Sequence, residues 1–219
     1  MQGWLRYNTG DPCLPTMNRF EHFFCSTSLW QRMTHRFLLP WVLSGARLGE
    51  HVLEIGAGYG AATGHLLKLA PRVTSLEYDP RLLRKLKAHH QCSELTTFCG
   101  DAAMLPFADQ SFSSAVAILV LHHLKSKALQ DRALAEVHRV LRPGGSFFAF
   151  EINDGWIHRT AHYKSTFTPV TPGSAFARLT KVGFSKISLD FRSGGYGMSA
   201  RRAAEETITE QPAAASATA

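Results

Sequence analysis

Three glycines at alternate positions, Gly56, Gly58 and Gly60, follow directly on the apolar run Val52-Leu53-Glu54-Ile55, and this junction limits what the chain can become. A short apolar run reads as a buried strand, and the glycines read as a turn without side chains. Glycine is required where the backbone takes positive φ or must approach a ligand closely. A helix after such a turn aims its first N–H groups at the same spot. The expectation is a first parallel strand whose carboxyl end carries a nucleotide or nucleoside site. A Gly-rich turn also serves as a plain strand-to-helix connection, so the spacing downstream has to decide.

Residues 73–77 form a second short strand that ends at Glu77, before Tyr78, Asp79 and Pro80. An acid at that tip, about 20 residues past the glycines, suits a ribose diol; the plainer alternative is a solvated loop acid. Asp79-Pro80 reads as an N-cap followed by proline in the first helical turn. Leu82, Leu83 and Leu86 supply the inner face of that helix. A third strand over 95–99 puts Asp101 on the same edge, where a carboxylate could accept from an exocyclic amine of adenine. Asp101 also suits an N-cap or Asx-turn. The run 114–120 is apolar enough for a strand covered on both faces. Helical spacing over 127–141 ends at Arg142-Pro143-Gly144-Gly145, and a fifth strand follows over 146–151.

Taken together, these segments resemble the class I S-adenosylmethionine-dependent methyltransferases. The likeness is to small bacterial enzymes of the ubiquinone/menaquinone-biosynthesis and generic small-molecule type. It is carried by LEIGAGYG at 53–60, LEYDP at 76–80, GDAAMLPFADQSF at 100–112, ILVLHHL at 118–124 and EVHRVLRPGG at 136–145, in register over roughly residues 50–152. The resemblance implies an α/β, Rossmann-like seven-stranded sheet with helices on both faces and an antiparallel last strand. The C-terminal part fits this pattern. A helix is expected over 171–182 with Phe176, Leu179 and Val182 on one face, then a strand over 186–191. A turn at 193–195 and a returning strand over 196–202 complete it.

The resemblance also assigns roles. S-adenosylmethionine is the implied cofactor, with Glu77 on the ribose, Tyr78 beside it, and Asp101 and Ala102 at the adenine. Gly56, Ala57 and Gly58 would let the backbone approach the methionine portion. Glu54 would stand near the methionine ammonium, its plainer alternative being an ion pair under the sheet. Leu119 would contribute backbone contacts. His122 and His123 are candidates for a general base, because histidine titrates near neutrality. Glu151, Asn153, Asp154, Trp156 and His158 are further substrate-side candidates, and His89-His90 is expected to be solvated. The loop after the fourth strand lacks the Asn/Asp-Pro-Pro-aromatic motif of amino-methylating enzymes and the Pro-Cys of cytosine C5 methylation. A small-molecule acceptor is therefore expected. Alternatives are an RNA methyltransferase and a non-catalytic S-adenosylmethionine-binding protein. A nicotinamide-dependent oxidoreductase fits less well, given Asp101 and the Arg-Pro-Gly-Gly turn.

The 219 residues suit one domain. Residues 1–17 read as a peripheral segment, with Met17 a conceivable second start. Residues 18–203 read as the domain with a helical cap over 18–49, and 204–219 as a disordered tail. In the cap, Phe20, Phe23, Phe24 and Trp30 form an aromatic cluster that continues through Phe37 and Trp41, interrupted by Pro40. No run approaches a membrane span and no signal peptide pattern begins the chain. Cys13, Cys25, Cys92 and Cys99 show no metal-site spacing, so no metal is expected, and a reduced cytoplasmic protein without structural disulfides is. Formal net charge is +7, but the basic residues are scattered, and nucleic acid is not the expected partner.

Overall fold

The computed structural model of the chain describes residues 17–192 and 194–204. The expectations for residues 1–16, for Cys13, for most of the tail and for Ser193 at the head of the last turn lie outside the described residues.

The chain opens with α1 (Arg19–Ser26) and α2 (Ser28–Met33), a π-helical segment over Thr34–Leu38, and α3 (Leu39–Val42). Asn18 caps α1 through a capping box: its side chain accepts from the Glu21 N–H, and Glu21 reaches back to the Asn18 N–H. Pro40 does not break the segment. It stands in the first turn of α3, where its missing N–H costs little. The core then runs β1 (His51–Ile55), α4 (Thr63–Leu69), β2 (Arg72–Glu77), α5 (Pro80–His89), β3 (Leu95–Cys99) and β4 (Phe112–Ile118). After β4 come a short 3-10 turn at Leu121–His123, α6 (Lys127–Val140), β5 (Leu141–Ile152), α7 (Trp156–Ala161), α8 (Pro172–Val182), β6 (Phe184–Arg192) and β7 (Gly195–Arg202).

The seven strands lie in the order β3-β2-β1-β4-β5-β7-β6. β1 to β5 are mutually parallel, and β7 runs antiparallel to both neighbours. The order reverses between β1 and β4, and ligands of open α/β sheets bind outside the carboxyl ends of strands at such a point. Period-two alternation divides the core. Leu53 and Ile55 face the layer that holds Val137 and Leu179. Val52 joins Leu39 and Leu66 on the opposite layer. Both faces of the sheet are thereby covered, which accounts for the near-continuous apolar runs of β1 and β4.

Three local expectations need correction. The fifth strand begins at Leu141 rather than Ser146, because Pro143-Gly144-Gly145 forms an irregularity within it. Phe112 pairs with Leu141, and pairing resumes at Ser114 with Ser146. On α8 the core side is Ala175 and Leu179, and Phe176 is exposed. In the cap, Phe24 packs on Trp30 with ring centroids 5.1 Å apart. Phe20, Phe23 and Phe37, however, are largely exposed, so the aromatic run does not bury as one cluster. Among the described residues, no helix is long and apolar enough to cross a membrane.

Candidate active site

The glycine turn is held from β2. The N–H groups of Gly56 and Ala57 both donate to the Leu76 carbonyl, at 2.8 and 3.2 Å. Gly56, Gly58 and Gly60 have φ of 68°, 55° and 82°, in the left-handed region that other residues enter only with strain. The two outer glycines are also sterically required. A Cβ on Gly56 would meet Val120 Cγ2 at 2.6 Å, and one on Gly60 would meet Leu86 Cδ1 at 2.8 Å. At Gly58 the nearest atom to such a Cβ lies 4.0 Å away, so the side-chain face of Gly58 is open where a ligand would approach.

Glu77 closes this arrangement. Its carboxylate accepts the Gly58 N–H at 2.7 Å and the Asp79 N–H at 2.9 Å. Burial pushes its carboxyl above the ordinary carboxylate range, while the two N–H donors pull the other way. It is thus not a solvated loop acid: it braces the glycine turn while standing at the strand tip. Tyr78 beside it is exposed. Asp101 follows Gly100, whose N–H donates to the Glu77 carbonyl at 3.1 Å. Asp101 Oδ1 accepts the Ala103 N–H at 2.8 Å, so the Asx-turn role is filled at the same edge. Ala57 and Ala102 are buried next to these acids.

Glu54 is 2% exposed in the middle of β1. Its Oε2 accepts from Thr63 Oγ1 at 2.7 Å and from Ser75 Oγ. Its Oε1 has no hydrogen-bond partner among the described residues. Burial pushes the carboxyl up to about 7, opposed by the two hydroxyl bonds and reinforced by the charge of Glu77. No ion pair under the sheet is formed by this residue among the described contacts. Thr63 and Ser75 were not legible as partners, since one comes from α4 and the other from the neighbouring strand.

Across the switch point, Leu119 leaves β4 with φ of 59° and donates its N–H to the Phe150 carbonyl at 2.9 Å. Glu151, wholly buried in β5, clamps the exit of β4. It accepts the Leu121 N–H at 2.8 Å, the Val120 N–H at 3.2 Å and His122 Nδ1 at 2.6 Å. His122 is 2% exposed, and His123 is half-buried beside it with ring centroids 4.2 Å apart. The remaining candidates after β5 turn elsewhere. Asn153 is exposed, Asp154 pairs with Arg159 at 2.8 Å, and Trp156 is exposed. His158 Nδ1 bonds the Asn153 carbonyl at 2.7 Å. His89 is exposed as expected, and His90 is half-buried with its ring against Gly60 and Gly64. From the cap, His22 Nδ1 reaches Tyr59 Oη at 3.2 Å, so α1 touches the glycine turn.

A cavity of about 410 Å³ lies among His51, Arg72, Glu94 and Phe112. These residues are at the amino ends of the strands, away from the edge where such sheets bind ligands. A second cleft of about 540 Å³ between Arg32, Arg36 and Gly60 adjoins the glycine turn.

The residues at the strand edge fit S-adenosylmethionine: an open backbone face at Gly58, a buried carboxylate at the β2 tip, and an unpartnered buried oxygen on Glu54 for an ammonium. Comparison with known proteins agrees. A family profile described as "Methyltransferase domain" matches residues 53–149. Demethylmenaquinone methyltransferase of Tropheryma whipplei (strain Twist) is 30% identical over 130 residues, 59% of this chain and 51% of that protein. Phthiotriol/phenolphthiotriol dimycocerosates methyltransferase of Mycobacterium tuberculosis is 36% identical over 104 residues, 45% of this chain and 36% of that protein. The chain thus spans about half or less of the length of these curated relatives. The fold matches N-methyltransferase NodS of Bradyrhizobium japonicum WM9, solved with S-adenosyl-L-homocysteine, at a TM-score of 0.66 and 20% identity, covering 85% of this chain and 94% of that one. Residues 53–149, which span most of β1 through β5, are thus similar in sequence to the methyltransferase-domain family, and the whole sheet is similar in fold to S-adenosylmethionine-dependent methyltransferases.

Proposed function

We propose that this chain transfers a methyl group from S-adenosylmethionine to a small hydroxyl- or carbon-nucleophile acceptor of the quinol or lipid kind. The observation that carries the reading is the pairing of two buried constellations across the switch point: the glycine turn braced by Glu77, and the His122–Glu151 pair at the exit of β4. The names of the relatives, which act on a demethylmenaquinone and on phthiotriol-type lipids, support the acceptor class.

When bound, the cofactor supplies a methyl group already activated on a sulfonium, so the protein mainly has to position the acceptor in line. Gly58 presents its backbone to the methionine portion, and Glu54 Oε1 is the acceptor available to the ammonium. Glu77 has further lone pairs for the ribose diol beyond those that hold Gly58 and Asp79. Asp101 and the Ala102 N–H would meet the adenine, and the Leu119 backbone would line the same pocket, with Tyr78 at its rim. On the acceptor side, His122 directs Nδ1 at Glu151. That leaves Nε2 to accept a proton from the nucleophile, with His123 adjacent.

The test is turnover with methyl-labelled cofactor against reduced quinones and lipid phenols or alcohols. Label should enter one of these acceptors, and His122→Gln should lower kcat while leaving the affinity for S-adenosylhomocysteine unchanged. Transfer into RNA with none into small acceptors would contradict the reading. Tight cofactor binding with no transfer to any acceptor would favour a binding protein instead.

A further inference from the structure

Three histidines and one glutamate converge beyond the Glu151 clamp, from three separate elements. His122 and His123 come from the turn after β4, His162 from the end of α7, and Glu21 from α1 of the cap. One ligand atom from each of the three histidines lies within 4.8 Å of the others. His162 Nε2 stands 3.1 Å from Glu21 Oε1, and His123 Nδ1 stands 4.0 Å from the same oxygen. We propose that His122, His123, His162 and Glu21 form a binding site for a divalent cation of the zinc class, which ties the cap to the sheet edge.

Hydrogen bonds fix the tautomers of His122 and His162. His122 Nδ1 faces Glu151 Oε2 at 2.6 Å. His162 Nδ1 faces the His158 carbonyl at 2.7 Å. A carbonyl only accepts, and Glu151 already accepts two backbone N–H groups. Each Nδ1 therefore carries the hydrogen, and each Nε2 turns a lone pair inward. Histidine ligands of metals are held in this way, with the outer nitrogen on a carboxylate or a backbone carbonyl. Glu21 is oriented likewise. Its Oε2 accepts the Asn18 N–H at 2.6 Å, and its Oε1, buried, lacks a hydrogen-bond partner of good geometry.

Inward-facing acceptors repel one another unless a cation lies between them. The surroundings exclude water: His122, Glu21 and His162 are 2%, 6% and 9% exposed, and Phe167 stacks on His162 with centroids 4.5 Å apart. Three imidazoles and one carboxylate suit zinc, which takes nitrogen and oxygen at about 2.0–2.2 Å in a tetrahedron. Ligand atoms in such a tetrahedron are about 3.4 Å apart, so small ring rotations bring these together. Four protein ligands make a closed, structural site. Sequence spacing gave no hint of it, because the cysteines were the wrong residues to count and the ligands span residues 21 to 162.

The site stands on geometry alone and does not rest on the methyl-transfer reading. An ion there commits the His122 lone pair, and so competes with the proton-accepting role proposed above. The test is calorimetric titration of the chelator-stripped full chain with zinc, together with cobalt(II) as a spectroscopic probe of tetrahedral coordination. One equivalent should bind, with tetrahedral cobalt bands. His162→Gln and Glu21→Gln should each weaken zinc binding by at least about tenfold, and His89→Gln, an exposed control, should not. Should His162→Gln fail to fold by circular dichroism, the half-buried His123→Gln takes its place. No stoichiometric binding, or equal binding by the wild type and the ligand variants, would overturn the proposal.

Discussion

At Glu54 a carboxylate sits inside β1 with one oxygen held by Thr63 and Ser75 and the other unpartnered among the described residues. Its burial favours the protonated form in the folded chain, at a value near 7, above that of an unfolded carboxylate. The sign follows. A group whose folded value is raised contributes stability that is complete below the unfolded value and is lost as pH rises through the folded one. Thermal stability should therefore fall between the ordinary carboxylate range and about 7, and Glu54→Gln should flatten that fall. Melting curves across this window check it; identical pH profiles for the two proteins would remove the assignment. The proposed ammonium contact makes a linked prediction. Cofactor affinity should rise as pH rises towards about 7 and Glu54 ionises, and the glutamine variant should lose that rise. At this scale the sequence was readable for acids at strand tips, because a strand end fixes where Glu77 and Asp101 must stand. It was not readable for Glu54's hydroxyl partners or for Glu21 and His162, which meet only through tertiary packing. The Asn18-x-x-Glu21 spacing did carry a capping-box signal.

The elements at the switch point impose different requirements on their residues. Gly58 has positive φ and open space where a side chain would go. Gly58→Val should therefore destabilise the fold by only about 1–3 kcal/mol through backbone strain, yet abolish S-adenosylhomocysteine binding by filling the approach face. Denaturation and binding measured on one sample separate the two effects; normal binding would place the cofactor turn elsewhere. At the other end of the sheet, buried Tyr196 in β7 donates Oη–H to the Val170 carbonyl at 2.7 Å. This ties the antiparallel strand to the loop before α8. Tyr196→Phe should cost about 1–3 kcal/mol, since it leaves a buried carbonyl unpaired, and urea unfolding measures it. Most of these elements were legible from period and caps, such as Asp79-Pro80 opening α5 and the helical spacing of α6. The start of β5 was not. Pro-Gly-Gly signals a turn locally, and only pairing of Leu141 with Phe112 makes that segment part of a strand.

Across the whole molecule, the cap is joined to the rest of the chain through several contacts besides the packing of Leu39 on Val52 and the approach of Glu21 to His162. His22 touches Tyr59 on the glycine turn, and Asn18 Nδ2 donates to the Ala161 and Tyr163 carbonyls at 2.8 and 3.0 Å. Asn18→Ala removes both the helix cap and this tether. It should lower stability by roughly 0.5–2 kcal/mol and speed proteolysis within residues 18–42 before the sheet is cut. Cleavage at the wild-type rate would mean that the cap is held by other contacts. The helical cap was visible in the sequence, but its exposed aromatics Phe20, Phe23 and Phe37 were not. Helical spacing shows that apolar residues share a face without showing whether anything covers it. Cofactor binding at the carboxyl edge of β1 and β2 underlies the proposed function, and calorimetric titration with S-adenosylhomocysteine measures it. Saturable one-to-one binding is expected, weakened by about 1–3 kcal/mol in Glu77→Ala through lost charge-assisted hydrogen bonds. No binding by the wild-type chain, or equal binding by wild type and Glu77→Ala, would contradict it.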